Sequence, residues 1–119
     1  MTGNILIIED DDSMRELIQA ELEDDGYQTI ATDSGFEGLS ALNQHAFNLI
    51  VLDIRMTGMD GIEALERIIN SQKGVPVIIH SAYSHFKENY RTWSAAAYVV
   101  KSMDLSELKD TIKQHIKVS

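Results

Sequence analysis

Four consecutive acids, Glu9-Asp10-Asp11-Asp12, directly follow the apolar run Ile5 to Ile8. Elsewhere Asp53 follows Leu49 to Leu52, Ser81 stands just past Val75 to Ile79, and Lys101 follows Tyr98 to Val100. If the apolar runs are neighbouring parallel strands, these polar groups are all delivered to one edge. Carboxylates converging there repel one another, so burying them together requires a cation. Hard oxygen ligands without His or Cys suit Mg²⁺, with Mn²⁺ as the alternative, rather than zinc. A lysine ammonium and a serine hydroxyl facing that cation can hold the remaining oxygens of a phosphoryl group while one carboxylate serves as nucleophile.

The elements that must position these groups are legible as an alternation. Short β-branched runs (Ile5 to Ile8, Leu49 to Leu52, Val75 to Ile79, Tyr98 to Val100) are continuously apolar, as strands buried on both faces must be. The mixed run Tyr27 to Ala31 belongs at a sheet edge. Between the runs, apolar residues recur at helical spacing: Leu17, Ile18 and Leu22; Leu39 and Leu42; Ile62, Leu65, Ile68 and Ile69; Leu105, Leu108, Ile112 and Ile116. Capping patterns open several helices, at Ser13-x-x-Glu16, Ser34-x-x-Glu37, Asp60-x-x-Glu63 and Asp104-x-x-Glu107. A further helix is expected from Ser84 or His85, on the stripe Phe86, Tyr90 and Trp93, for which core packing is the default. These units predict an α/β fold, a flavodoxin-like doubly wound sandwich of five βα units with a parallel sheet of order 2-1-3-4-5. Ligands bind such sheets at the carboxyl ends of the strands, where strand order reverses. Here that is between the first and third strands.

Composition narrows the classes. In 119 residues, 10 Lys plus Arg against 19 Asp plus Glu give a net charge of −9, which disfavours direct contact with nucleic acid or an anionic membrane. The absence of cysteine removes disulfide scaffolds, zinc-thiolate sites and thiol catalysis. No apolar run is long enough to span a bilayer, and the N-terminus lacks the charged and apolar regions of a signal peptide. A single domain over 1–119 in the cytoplasm is expected.

On the stretches Ile5-Leu-Ile-Ile-Glu-Asp-Asp11, Leu49-Ile-Val-Leu-Asp53-Ile-Arg-Met-Thr-Gly-Met-Asp-Gly61, Val77-Ile-Ile-His-Ser81-Ala82 and Ala97-Tyr98-Val-Val-Lys101, the sequence resembles the receiver domain of two-component response regulators across essentially its whole length. The resemblance implies that Asp53 is the phosphoacceptor. It makes Glu9 and Asp10 the acidic metal pair, with Asp53 and the backbone carbonyl of Arg55 completing the metal ligands, and Ser81 and Lys101 the phosphoryl contacts. Ser81 and Tyr98 fall on the switch positions, and Arg55 and Tyr83 flank the path of the water that hydrolyses the acyl phosphate. A histidine kinase or phosphotransfer protein is the implied donor. A downstream effector is expected on the face formed by the helix near Ser84, the fifth strand and the C-terminal helix, and that face leaves room for a phosphorylation-dependent homodimer. The chain ends with its C-terminal helix, so output is expected to pass through another protein. Slow self-dephosphorylation is expected, and no turnover of a separate substrate.

Other readings exist for most of these residues. Asp11, Asp12 and Ser13 suit helix capping, Asp60 suits a cap better than a ligand, and His80 and His85 suit loop or core side chains. The main rival function is a small Mg²⁺-dependent phosphohydrolase of the haloacid dehalogenase type. It needs a second Asp two residues after the first, where Arg55 stands. A flavin-binding module lacks its phosphate loop, since acids follow the first strand. A degenerate receiver that only docks would not need the full set of acceptor, acids, hydroxyl and lysine. Thr57 and Ser102 stand where the family usually has prolines, the second of them cis. Without proline a cis bond costs about 3 kcal/mol, so Lys101–Ser102 is expected to be trans, with Ser102 and Asp104 helping to start the next helix. The span from Ser81 to Lys101 is also a little short for the family.

Overall fold

The computed structural model describes residues 3–54, 61–72, 74–83 and 94–117. The expectations for Arg55, Thr57 and Asp60, and for the helix carrying Phe86, Tyr90 and Trp93, lie outside them. Five strands form one parallel sheet: β1 (Asn4–Ile8), β2 (Gln28–Thr32), β3 (Leu49–Leu52), β4 (Val77–Ser81) and β5 (Ala97–Val100). Their order is β2-β1-β3-β4-β5, as the alternation predicts. The helices among the described residues are α1 (Asp12–Asp24), α2 (Gly35–Gln44), α3 (Gly61–Ser71) and α4 (Ser106–His115).

Strand residues alternate between two apolar layers because successive side chains point to opposite faces. Leu6, Ile8, Ile50, Leu52, Val77, Ile79 and Tyr98 pack with Leu42 of α2 and with Leu65 and Ile68 of α3. On the other face Ile5, Ile7, Leu49, Val51, Ile78 and Val99 pack with Ile18 and Leu22 of α1 and with Leu108 and Ile112 of α4. β1 and β3 lie between neighbours and between layers, which is why their sequences are unbroken apolar runs. β2 is an edge strand and only partly buried, matching its mixed sequence.

Several boundaries differ from the sequence expectation: β1 begins at Asn4, β2 runs Gln28–Thr32 rather than Tyr27–Ala31, and β5 begins at Ala97. β4 runs Val77–Ser81 rather than Val75–Ile79. Pro76 has no N–H to give to a ladder and contributes only its carbonyl, which accepts from the Ile50 N–H at 3.0 Å. At the other end His80 and Ser81 continue the strand, pairing with Val99 and Val100. The cap of α1 is Asp11 rather than Ser13, its side chain accepting from the Ser13 and Met14 N–H groups. Ser34 caps α2 as expected, accepting from Glu37 N–H at 3.1 Å. No cis peptide bond occurs among the described residues, so Lys101–Ser102 is trans. Ser102 Oγ accepts from Asp104 N–H and Asp104 Oδ1 from Ser106 N–H, which organises the start of α4.

Candidate functional site

Three ladders reach one residue beyond their strands and hold the backbone of the site. Glu9 N–H donates to Thr32 O at 3.0 Å, Asp53 N–H to Ile8 O at 2.9 Å, and Lys101 N–H to Ser81 O at 2.8 Å. Each polar side chain therefore starts from a peptide fixed by its neighbouring strand. Rigid placement of this kind removes the reorganisation that a mobile loop would require.

The side chains converge at the reversal between β1 and β3. Lys101 Nζ lies 2.8 Å from Asp53 Oδ2 and 2.7 Å from Glu9 Oε1. Glu9, Asp10 and Asp53 each place a carboxylate oxygen within 4.8 Å of the others. Glu9 and Asp53 are buried, and Glu9 Oε2 accepts from Asp11 N–H at 3.1 Å. Burial pushes the Glu9 carboxyl up to about 7, against the Lys101 hydrogen bond and the Asp11 N–H that lower it, while the charge of Asp53 raises it further. Burial is also the largest influence on Lys101, pulling it down. The hydrogen bonds and charges of Asp53 and Glu9 together outweigh it, so Lys101 titrates above its ordinary value.

An acid that resists ionisation with an ammonium 2.7 Å away sits in a pocket short of positive charge. Glu9 Oε1 faces the Lys101 ammonium at 2.7 Å, and Glu9 Oε2 accepts the Asp11 N–H at 3.1 Å. The three neighbouring donors are all carboxylate oxygens, the chemistry of a hard divalent cation. Glu9, Asp10 and Asp53 thus fit Mg²⁺.

Ser81 is buried at the end of β4, and its Oγ accepts from Tyr83 N–H at 3.1 Å. The Tyr98 hydroxyl donates to the carbonyl of the same Tyr83. Tyr98 is 5% exposed, so the side chain at this switch position is turned inward. Tyr83 is itself 38% exposed at the rim. Of the sequence-predicted site residues, Glu9, Asp10, Asp53 and Lys101 are brought together directly. Ser81 and Tyr98 meet through the Tyr83 backbone. The metal-ligand and water-path roles of Arg55 lie outside the described residues. Sequence reasoning missed Arg15, whose Nη1 donates to Glu9 O at 3.0 Å and whose Nη2 meets Asp12 Oδ1 at 2.6 Å. Its only signal is the spacing Asp12-x-x-Arg15, common on solvated helices.

The family model of the response regulator receiver domain matches residues 5–113. This chain is a receiver domain of the response-regulator family. Receivers are signalling modules rather than enzymes that turn over a separate substrate, and the phosphohydrolase reading is not favoured. The receiver is 30% identical over 118 residues to sporulation initiation phosphotransferase F of Bacillus subtilis (strain 168), covering 98% of this chain and 95% of that one. It is 31% identical over 117 residues to the uncharacterised transcriptional regulatory protein YkoG of the same organism, 97% of this chain but only 51% of YkoG. Among solved structures it resembles response regulator TrrA from Thermotoga maritima in complex with Mg²⁺ and BeF, with 34% identity and a TM-score of 0.88 over 95% of this chain and 98% of TrrA. TrrA has also been solved in complex with histidine kinase ThkA, and that copy matches with a TM-score of 0.86 over 96% of this chain and 98% of TrrA.

Proposed function

We propose that this receiver takes one phosphoryl group onto Asp53 from a histidine kinase or phosphotransfer protein, in a Mg²⁺-dependent reaction, and changes its partner binding as a result. The observation that carries the reading is the approach of Lys101 Nζ to Asp53 Oδ2 at 2.8 Å, beside two further acids. An Asp53 oxygen attacks phosphorus, the bond from phosphorus to the donor nitrogen breaks, and its electron pair stays with the donor imidazole. The product is an acyl phosphate. Glu9, Asp10, Asp53 and the Arg55 carbonyl would hold the cation, which when bound neutralises charge on the phosphoryl oxygens; Mn²⁺ would serve the same oxygen set. Lys101 moves from pairing with carboxylates to pairing with the phosphoryl group, and the Ser81 hydroxyl donates to another of its oxygens.

That donation draws Ser81 Oγ from the Tyr83 N–H and biases the backbone on which the Tyr98 hydroxyl rests. The partner face is β5 with α4 and the segment before β5. It serves a downstream effector and, in the phosphorylated state, a second copy. The complex of the related TrrA with ThkA supports a kinase as donor. The domain spans 1–119, acts in the cytoplasm and binds neither nucleic acid nor membrane directly. No described helix is long and apolar enough to cross a membrane. We infer slow self-dephosphorylation from the resemblance, in which the positions held by Arg55 and Tyr83 flank the path of the attacking water.

Intact-mass analysis after incubation with acetyl phosphate tests the reading. One added phosphoryl group is expected with Mg²⁺, none with a chelator, and none in Asp53→Asn. Equal labelling of Asp53→Asn overturns the assignment.

A further inference from the structure

The four acids that lead from β1 into α1 have four different surroundings. Glu9 faces Lys101, Asp10 joins the carboxylate cluster, Asp11 caps α1, and Asp12 pairs with Arg15. Arg15 also reaches back across the turn, donating from Nη1 to the Glu9 carbonyl at 3.0 Å while Nη2 holds Asp12 Oδ1 at 2.6 Å. Its side chain is 19% exposed, so the guanidinium is packed rather than waving in solvent. The Glu9 carbonyl belongs to the peptide joining Glu9 to Asp10. A donor fixed on that oxygen fixes the plane from which both carboxylate-bearing residues depart. The same guanidinium pairs with Asp12, the first residue of α1, and so ties the Glu9–Asp10 peptide to the start of the helix.

We propose that Arg15 is a positioning residue for the divalent cation: it sets the Glu9–Asp10 peptide and ties it, through Asp12, to the first turn of α1, so that the turn presents a defined ligand set. The inference rests on the reading of Glu9, Asp10 and Asp53 as the metal site. Arg is suited to the task because its planar fork donates in two directions at once, which a lysine ammonium on a single stem does not reproduce. Outer groups that orient metal ligands typically change affinity by about 10- to 100-fold when removed.

Mg²⁺ affinity measured by calorimetry on the full chain, with thermal melts in chelator alongside, tests this. Arg15→Ala is expected to weaken Mg²⁺ binding by about tenfold or more, and Arg15→Lys to recover only part of that loss. Lys109→Ala serves as control. It removes the ion pair of Lys109 with Glu21 at 2.9 Å, between α4 and α1, without touching the turn, and should leave the affinity unchanged. Arg15→Ala binding Mg²⁺ as tightly as the parent, or Lys109→Ala weakening it as much, overturns the inference. If Arg15→Ala does not fold, parental affinity in Arg15→Lys overturns it equally. Asp10→Ala separates the two levels: undiminished binding there removes the metal site itself, whereas loss there with parental binding in the Arg15 variants removes only the positioning role.

Discussion

His80 is a buried titratable group outside the phosphoryl chemistry. It is 1% exposed within β4, and its Nδ1 has no hydrogen-bond partner. Burial lowers its pKa to about 4, and the charge of Lys101 lowers it further in the same direction. An unfolded chain regains the ordinary value near 6.5, so between the two values the unfolded state binds a proton that the folded state refuses. Stability is therefore whole above pH 6.5 and drains as pH falls toward 4, by about 3 kcal/mol at about 1.4 kcal/mol per unit. His80→Leu, close in volume, should flatten that loss. Denaturant titrations of parent and variant at several pH values measure it, and parallel curves would show that the imidazole accepts its proton freely. At this scale the sequence was informative where chemistry meets position. Glu9, Asp53 and Lys101 stood out because each directly follows an apolar run, and Asp10 because it adjoins Glu9. Arg15 did not, since an arginine in a first helical turn ordinarily faces water. The shared hold of Ser81 and Tyr98 on Tyr83 was also hidden, because it joins residues 15 apart.

Among the elements, α2 makes an unusually close approach. A Cβ built on Gly38 would lie 2.4 Å from Ile8 Cδ1 and 2.8 Å from Ile8 Cγ1, inside a layer where Ile8 is fully buried. Gly→Ala within a helix ordinarily gains about 1 kcal/mol, but overpacking a core costs roughly 1–3 kcal/mol. Gly38→Ala should thus be destabilising by about 1 kcal/mol net. Ile8→Val removes the Cδ1 methyl, so the double variant should be more stable than the sum of the two single effects. Strict additivity in a denaturation cycle would contradict the packing argument. Element boundaries were legible where burial is uniform, as in Leu49–Leu52, which coincides with β3. They were not where polarity hides pairing: an apolar criterion stops at Ile79, whereas the ladder runs on through His80 and Ser81. The α1 cap stayed open in the sequence because Asp11, Asp12 and Ser13 are all competent caps, and only the backbone decides among them.

For the molecule as a whole, a net charge of −9 on 119 residues means that folding concentrates repulsion. Lys101 and Arg15 sit on two sides of the acidic turn, but Asp24 and much of the α1 surface remain acidic and exposed. In chelator, raising monovalent salt from low to physiological strength should raise the melting temperature by a few degrees, since screening over about 8–10 Å covers such surface distances. Calorimetry at fixed pH checks this, and a fall in melting temperature would mean that attractive pairs dominate the surface. The strand order carries a different consequence. β3 lies at the middle of the sheet and β5 at its edge, so Asp53 meets Lys101 across 48 residues of chain, after β4 and β5 have docked. Such non-local closure comes late in folding. During synthesis Asp53 leaves the ribosome well before Lys101, and until the last strand is seated it is an ordinary aspartate. On the proposed reading a donor histidine meets either a finished acceptor or none, and a truncated chain lacking β5 is expected to take no label at Asp53.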